Sequence, residues 1–408
     1  MKYGLIGEKL GHSFSKSIHE DLFGYEYELK EISPKDLKLF LLQKGFQGIN
    51  VTIPYKELAL SYCDALDISV SQIGALNTIV NQEGKLIGYN TDYYGLKFLL
   101  ETKGIEIKGK SILILGSGGT SKTAKYLCKD LGAKEIVICS RKNEEGYISY
   151  DEIGKQEFDV LINTTPLGMY PDNDGNPISK DILKEKIVID VVFNPLRTKL
   201  MQEALSNACF VSGGLLMLVG QASKAGTLFT KETKSTAEIL KCYEKLYRDL
   251  ENIVLIGMPS SGKTSVAKEL AVILGKDFVD LDATITEKEN LSISEIFERF
   301  GEEYFREIEE KVIEEVSKKH GLVIATGGGA ILREKNVTRL KQNGKLVLLE
   351  RGFDLIKVDE NRPLLKNKEE WQYLYQERKE KYEAAGDMVV KNDGIIEETV
   401  QRILEELT

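Results

Sequence analysis

The sequence predicts an α/β fold class: parallel sheets with helices on their faces, spread over more than one domain. Three observations carry that expectation. Apolar, strand-like runs at 111–115, 135–139, 159–162, 187–192, 253–256, 322–325 and 345–349 alternate with helical stretches throughout the chain. Two of those runs feed directly into glycine-rich loops of different design, Gly116-Ser117-Gly118-Gly119-Thr120 and Gly257-Met258-Pro259-Ser260-Ser261-Gly262-Lys263-Thr264. Finally, 408 residues exceed one ordinary core. Hydrophobic residues at 42% and charged residues at 29% are the composition of a globular chain.

The N-terminal stretch Met1–Gly7 reads as a first strand and lacks the apolar core of a signal peptide. No apolar run approaches the ~20 residues of a membrane span. The net charge of −9 repels nucleic acid and anionic membrane, so anionic ligands must be held by local cations and N–H groups. Five cysteines at 63, 128, 139, 209 and 242 form no CxxC pair. They read as reduced thiols of a cytoplasmic protein. Three histidines, 12, 19 and 320, are too scattered for a metal cluster. Boundaries are expected at the charged helical stretch 243–251 and near 100–110. They give a lobe over 1–103, a second over 104–249 whose closing helices are free to return to the first, and a third over 250–408.

In the first lobe four polar groups follow strand-like segments: Ser13-Phe14-Ser15, Asn50-Val51-Thr52-Ile53-Pro54-Tyr55-Lys56, Asn77-Thr78 and Asn90-Thr91-Asp92. Any one of them is an ordinary cap or turn. Four in one lobe, with a lysine and an aspartate among them, argue for a polar site. Over about 1–248 these segments resemble shikimate dehydrogenase. The resemblance implies that Ser13, Ser15, Thr52 and Asn77 hold shikimate, that Lys56 is catalytic and that Asp92 is its partner. Reducing the ketone of 3-dehydroshikimate leaves a developing alkoxide that an acid must neutralise. Burial lowers a lysine pKa and a neighbouring aspartate raises it, so sequence leaves open which of Lys56 and Asp92 moves the proton.

The first glycine loop carries GxGG at Gly116–Gly119, with Ala124 further on and Ser121 where the dinucleotide fingerprint has its last glycine. The next strand ends in Ser140-Arg141-Lys142. Basic residues there suit a 2′-phosphate, so NADP(H) is favoured over NAD. By the resemblance, 163–169 lies beside the cofactor, Val191 and Gly214 belong to the cofactor site, and Gln221 reaches the substrate. Phe193 stands where the family usually has tyrosine, which removes one hydroxyl contact.

The second loop is a P-loop. Its backbone N–H groups cradle phosphates, Lys263 reaches the outer ones, and Thr264 offers a hydroxyl to Mg²⁺. Downstream come Asp280-Leu281-Asp282 at the end of a strand, Phe305-Arg306, Thr326-Gly327-Gly328-Gly329, Arg362-Pro363 and Arg378-Lys379-Glu380-Lys381-Tyr382. Guanidinium forks suit a carboxylate. This constellation resembles shikimate kinase over about 252–408. That resemblance implies Asp282 on the substrate hydroxyl, Asp280 near the metal, and Arg306, Gly328 and Arg378 on shikimate. It also places Arg362 on a lid over ATP. Ser260-Ser261 replace a glycine common in the family's loop. Glu302-Glu303 and Glu309-Glu310 read as a solvated helix face.

The expected protein is a fusion: an α/β substrate lobe and Rossmann NADP lobe, followed by a P-loop kinase domain with its own parallel sheet. It would reduce 3-dehydroshikimate with NADPH and phosphorylate shikimate with MgATP, as a monomer or homodimer acting on small molecules. A quinate/shikimate dehydrogenase fused to another small kinase is the competing enzyme reading. A sensor built from decayed enzymes is disfavoured, because Lys56, Asp92, Lys263 and Asp282 are all present.

Overall fold

The computed structural model describes residues 1–11, 13–142, 145–171, 173–356 and 368–407. The chain forms two compact units, Met1–Tyr247 and Arg248–Thr408.

The first unit holds two sheets. One is built from β1 (Tyr3–Gly7), β2 (Glu28–Glu31), β3 (Gly48–Val51), β4 (Ala65–Leu66), β5 (Thr78–Gln82) and β6 (Lys85–Tyr89). Their order is β2-β1-β3-β5-β6-β4, with β5 antiparallel to both its neighbours. The tight β5–β6 turn places Glu83 and Gly84 at φ of 52° and 85°, the positive values a two-residue hairpin needs. Because β1, β3 and β6 run the same way, their carboxyl ends and the start of β5 share one end of the sheet. Helices α1 (Ser15–Phe23), α2 (Leu37–Gln43), α3 (Ile68–Ile73) and α4 (Thr91–Thr102) accompany it.

The other sheet is wholly parallel: β7 (Ser111–Leu115), β8 (Glu135–Cys139), β9 (Val160–Asn163), β10 (Ile187–Asp190) and β11 (Phe210–Gly213), ordered β11-β10-β9-β7-β8. Alternate residues of β7 enter different cores. Ile112 and Ile114 pack with Ala124 and Leu127 of α5 (Gly119–Asp130), whereas Leu113 and Leu115 pack with Leu200 and Ala204 of α6 (Lys199–Ser206). Burial on both faces is why β7 reads as an unbroken apolar run. The closing helix α7 (Leu215–Thr230) returns to the first lobe, where Val219 and Ala222 pack on Ile18 and Leu22 of α1. Helix α8 (Thr236–Leu250) follows.

The second unit repeats the logic around a parallel sheet. Its strands are β12 (Asn252–Ile256), β13 (Asp277–Asp280), β14 (Leu322–Ala325), β15 (Gly344–Glu350) and β16 (Met388–Lys391). Their order is β13-β14-β12-β15-β16. Helices α9 (Lys263–Leu274) and α14 (Ile396–Leu407) cover the face carrying Ile253 and Leu255. Helices α10 (Leu281–Glu289), α11 (Ile293–Ser317), α12 (Glu334–Asn343) and α13 (Lys368–Ala385) cover the face carrying Val254 and Ile256. Within α11, Gly301 adopts φ 84°, ψ 173°, a region essentially confined to glycine, and so breaks the helix just before the turn that carries Arg306.

Each of the five cysteines is a free thiol. Among the described residues, no helix is long and apolar enough to cross a membrane.

Candidate active sites

The first site lies at the shared end of the six-stranded sheet. Lys56, on the turn after β3, donates from Nζ to Oδ2 of Asp92, with side chains 18% and 10% exposed. Asp92 sits in the first turn of α4, where the helix N-terminus favours a carboxylate. Asn90 caps that helix by accepting from the Tyr93 N–H at 3.0 Å, which leaves Asp92 for Lys56. The Asn77 amide donates to Asp92 Oδ1 at 2.9 Å and to Gln221 Oε1 at 3.3 Å. Its oxygen accepts from the Thr91 N–H at 2.7 Å and the Thr91 hydroxyl at 3.1 Å. Thr91 also reaches Gln221 Oε1 at 3.2 Å. Thus Lys56, Asn77, Asp92 and Gln221 form one bonded group. Thr91 is a further member that its place in the sequence, between Asn90 and Asp92, does not single out.

Ser13 and Ser15 stand on the loop and first turn after β1, and the Ser15 N–H donates to Ser13 Oγ at 3.3 Å. Thr52 follows β3, its N–H donating to Ile6 O at 3.0 Å. Among the described residues no side-chain hydrogen bond ties these three to the Lys56 group. Phe14, between the two serines, meets the ring edge of Phe193 at 5.8 Å, which brings the serine loop to the segment after β10.

The glycine loop after β7 completes this site. A Cβ placed on Gly119 would lie 3.8 Å from Lys56 Cβ and Cδ, so the loop backs directly onto the lysine. Strands β7 and β9 are the neighbours at which strand order reverses, the position where open α/β sheets bind ligands. Helix α5 has Gly118 as its N-cap, with no side-chain cap and no acidic residue in its first turn, leaving N–H groups open to an anion. At the end of β8, the Ser140 hydroxyl bonds Ser117 Oγ at 2.9 Å and accepts from the Lys142 N–H at 3.0 Å. Arg141 and Lys142 are exposed beside the loop. Gly214 heads α7 and donates to Val192 O at 3.1 Å, so close to Val191 that any Cβ would clash with its carbonyl. Beneath them Asp190 is fully buried, accepting from Thr198 Oγ1 at 2.7 Å, Asn163 Nδ2 at 3.0 Å and the Val192 N–H at 3.1 Å. Burial pushes its pKa up to about 6 against those bonds.

The second site gathers at the carboxyl ends of β12, β13 and β14. In the P-loop, Lys263 is buried and its Nζ donates to Gly257 O and Met258 O, both at 2.9 Å. Helix α9 has Gly262 as its N-cap, again without side-chain cap or acidic first turn. Ser260 holds φ 65°, a left-handed conformation that costs a non-glycine residue about 1 kcal/mol or more. Ser261 O is held by Asn392 Nδ2 at 2.6 Å. Thr264 Oγ1 donates to Asp280 Oδ2 at 2.8 Å, while Asp280 Oδ1 caps α10. The strand stops at Asp280, so Asp282 lies in the first helical turn of α10 rather than on the strand end.

Around the second loop, Arg306 Nη1 donates to Glu309 Oε2 at 2.9 Å and Nη2 to Glu302 Oε1 at 3.0 Å. Its guanidinium lies against Gly329, where a Cβ would sit 2.1 Å from Nη1. Arg378 Nη1 donates to Gly328 O at 3.1 Å. A Cβ on Gly327 would lie 2.6 Å from Asp282 Oδ1 and 3.2 Å from Glu309 Oε1, so both carboxylates face this turn. The solvated reading of Glu309 is therefore corrected. Its side chain is 1% exposed, because the i,i+3 spacing from Arg306 turns it inward toward the glycines. Burial raises its pKa and Arg306 opposes the rise. Glu302 and Glu303 do face solvent. Arg362 lies outside the described residues.

One unit thus backs a dinucleotide-type loop onto a lysine–carboxylate pair. The other ends three parallel strands in a P-loop, two aspartates and an arginine-lined glycine turn. This is the class of a dehydrogenase joined to a P-loop small-molecule kinase. Residues 5–79 match the shikimate dehydrogenase substrate binding domain, and 259–408 match shikimate kinase. The chain is 40% identical over 268 residues to shikimate dehydrogenase (NADP(+)) of Clostridium perfringens, covering 60% of this chain and 97% of that protein. Shikimate dehydrogenase 1 from Peptoclostridium difficile is 37% identical, with a TM-score of 0.57 over 60% of this chain and 98% of that one. Shikimate 5-dehydrogenase from Thermus thermophilus, in complex with NADP(H) and shikimate, is 25% identical, with a TM-score of 0.55 over 60% and 99%. The chain belongs to the shikimate dehydrogenase family through its N-terminal part and carries a shikimate kinase domain after it. It is a bifunctional shikimate-pathway enzyme, an oxidoreductase and a phosphotransferase.

Proposed function

We propose that the first unit reduces 3-dehydroshikimate to shikimate and the second converts shikimate to shikimate 3-phosphate. NADPH supplies the hydride and MgATP the phosphoryl group. The observation that carries the reading is the Lys56–Asp92 pair lying directly against Gly119 of the dinucleotide loop. A proton source is thereby placed beside the cofactor loop, as ketone reduction requires.

In the first site the Lys56–Asp92 pair exchanges a proton with the substrate oxygen at the reacting carbon. Asn77, bonded to both Asp92 and Gln221, orients that pair, and Asn77 and Gln221 offer hydrogen bonds to substrate hydroxyls. Ser13, Ser15 and Thr52 hold the rest of the ring. The open N-terminus of α5 suits a pyrophosphate, and Arg141 with Lys142 beside Ser140 suits a 2′-phosphate. Val191 and Gly214 line the nicotinamide end.

In the second site, residues Gly257–Thr264 cradle the triphosphate and Lys263 turns to its outer phosphates. Among the described residues no group of three or more His, Cys, Asp or Glu is placed to hold a metal. The Thr264–Asp280 pair instead supplies a hydroxyl and a carboxylate, which fits Mg²⁺ held mainly by phosphate and water. Asp282 orients or deprotonates the attacking hydroxyl, and Arg306, Gly328 and Arg378 hold the carboxylate end of shikimate. Free thiols suit residence in the cytoplasm.

The test is one reaction containing 3-dehydroshikimate, NADPH and MgATP, with phosphorylated shikimate as readout. Lys56→Ala should stop reduction and leave added shikimate phosphorylated at the normal rate. Asp282→Asn should stop phosphorylation and leave reduction intact. Near-normal reduction by the first variant, or undiminished phosphoryl transfer by the second, would sink the corresponding assignment.

A further inference from the structure

We propose that Tyr382 is a positioning residue that couples nucleotide binding to shikimate binding in the kinase domain. The inference rests on the kinase reading above and adds the means by which its two ligands sense each other.

Tyr382 projects from α13, is 2% exposed and belongs to the core of the second unit. Its hydroxyl lies 3.0 Å from Gly257 O, the first residue of the P-loop, and also within bonding distance of Gly328 O in the glycine turn. Each carbonyl has a second donor. Gly257 O accepts from Lys263 Nζ at 2.9 Å, and Gly328 O accepts from Arg378 Nη1 at 3.1 Å. The result is a continuous chain: Lys263, Gly257 carbonyl, Tyr382 hydroxyl, Gly328 carbonyl, Arg378. One end is the lysine assigned to phosphate, and the other is an arginine assigned to the substrate carboxylate.

A phenol has one proton and can donate it to only one carbonyl at a time. With Lys263 on Gly257 O, that carbonyl is satisfied and the Tyr382 proton serves Gly328 O. When phosphate draws Lys263 away, Gly257 O becomes a buried acceptor short of a donor, a state the fold avoids. The Tyr382 proton then turns to Gly257 O. Gly328 O is left to Arg378 Nη1 alone, and that bond is kept while other N–H groups of the guanidinium take the shikimate carboxylate, so the nucleotide fixes the arginine and the glycine turn before shikimate arrives. By linkage, shikimate must favour the nucleotide to the same degree. A redirected buried hydrogen bond corresponds to about a fivefold to tenfold coupling.

The test uses Tyr382→Phe in the full chain and initial rates of ADP formation with shikimate and ATP both varied. This readout ignores shikimate held by the dehydrogenase site. The quantity read is the ratio of shikimate dissociation constants for the ATP-free and ATP-bound forms. In Tyr382→Phe both carbonyls keep their second donor, so the fold loses no satisfied acceptor. The wild-type ratio should be about five to ten, and Tyr382→Phe should bring it within twofold of one. Trp371→Phe is the structural control. It removes another bond from α13 to the P-loop, Trp371 Nε1 to Pro259 O at 3.1 Å, but lies off the chain and should keep the wild-type ratio. A wild-type ratio near one, a Tyr382→Phe ratio equal to wild type, or an equal loss in Trp371→Phe would overturn the proposal. Failure of the wild-type protein to phosphorylate shikimate at all would instead overturn the kinase reading.

Discussion

Replacing Gly329 by alanine tests how tightly the kinase site is built around Arg306. Gly329 has φ −105° and ψ −3°, which alanine adopts freely, so backbone strain plays no part. The effect comes from space alone. The new Cβ would meet Nη1 at 2.1 Å, Nη2 at 2.3 Å and Cζ at 2.4 Å of Arg306. Ordinary contact needs about 3.4 Å, so the guanidinium must retreat by more than an ångström. Bonds to Glu309 and Glu302 on its own helix hold it where it is, and a retreat of that size cannot keep both. Losing one charge-assisted bond costs about 1.5–3 kcal/mol. If it is expressed in substrate capture, kcat/KM for shikimate falls about 10- to 150-fold. The assay is ADP formation at varied shikimate, with reduction of 3-dehydroshikimate by the same preparation as internal standard. KM for ATP should stay within about twofold of wild type, because the P-loop is untouched. A kcat/KM for shikimate within threefold of wild type would refute the idea that Gly329 is glycine to admit Arg306.

Other outcomes follow from the first unit. The Asp190 carboxyl has a folded pKa of about 6 against an ordinary 3.8. Its raised value means that its stabilising contribution is full below about pH 4 and is lost as pH rises to about 6, a change of about 3 kcal/mol over that window. Asp190→Asn should remove that dependence. Urea unfolding across pH 4 to 7 should therefore show the variant gaining on wild type as pH rises, and a gap that does not change with pH would count against it. Arg141→Ala should raise KM for NADPH by about tenfold while leaving that for NADH unchanged, and equal changes for both would remove its 2′-phosphate role. Thr91→Val keeps the shape but deletes the hydroxyl between Asn77 and Gln221. It should raise KM for 3-dehydroshikimate about fivefold, and an unchanged value would show that the two amides hold themselves.

The parts legible in the sequence are those whose physics is local. A parallel strand buried on both faces must be apolar along its length, so β7 and β14 coincide with the runs at 111–115 and 322–325. A loop that binds phosphate through its own N–H groups needs its glycines in sequence, so both loops stand out in the bare chain. Pairings across the chain do not. Asn77 meets Gln221 144 residues away, and nothing near either residue encodes the meeting. Glu309 shows the same gap from the other side. On its own helix it is one acid among several, and only the glycine turn after β14 makes its face an interior one. Its spacing of three from Arg306 is the available signal, and burial of that arginine gives the spacing its meaning. Tyr382 closes the Arg378–Tyr382 segment in the sequence, but spacing along that helix does not say that its hydroxyl reaches both loop carbonyls. What composition and spacing miss is where two loops from different strands become one site. The residues joining them, Thr91 in the first unit and Tyr382 in the second, are therefore the ones whose substitution should alter cooperation between groups more than the fold itself.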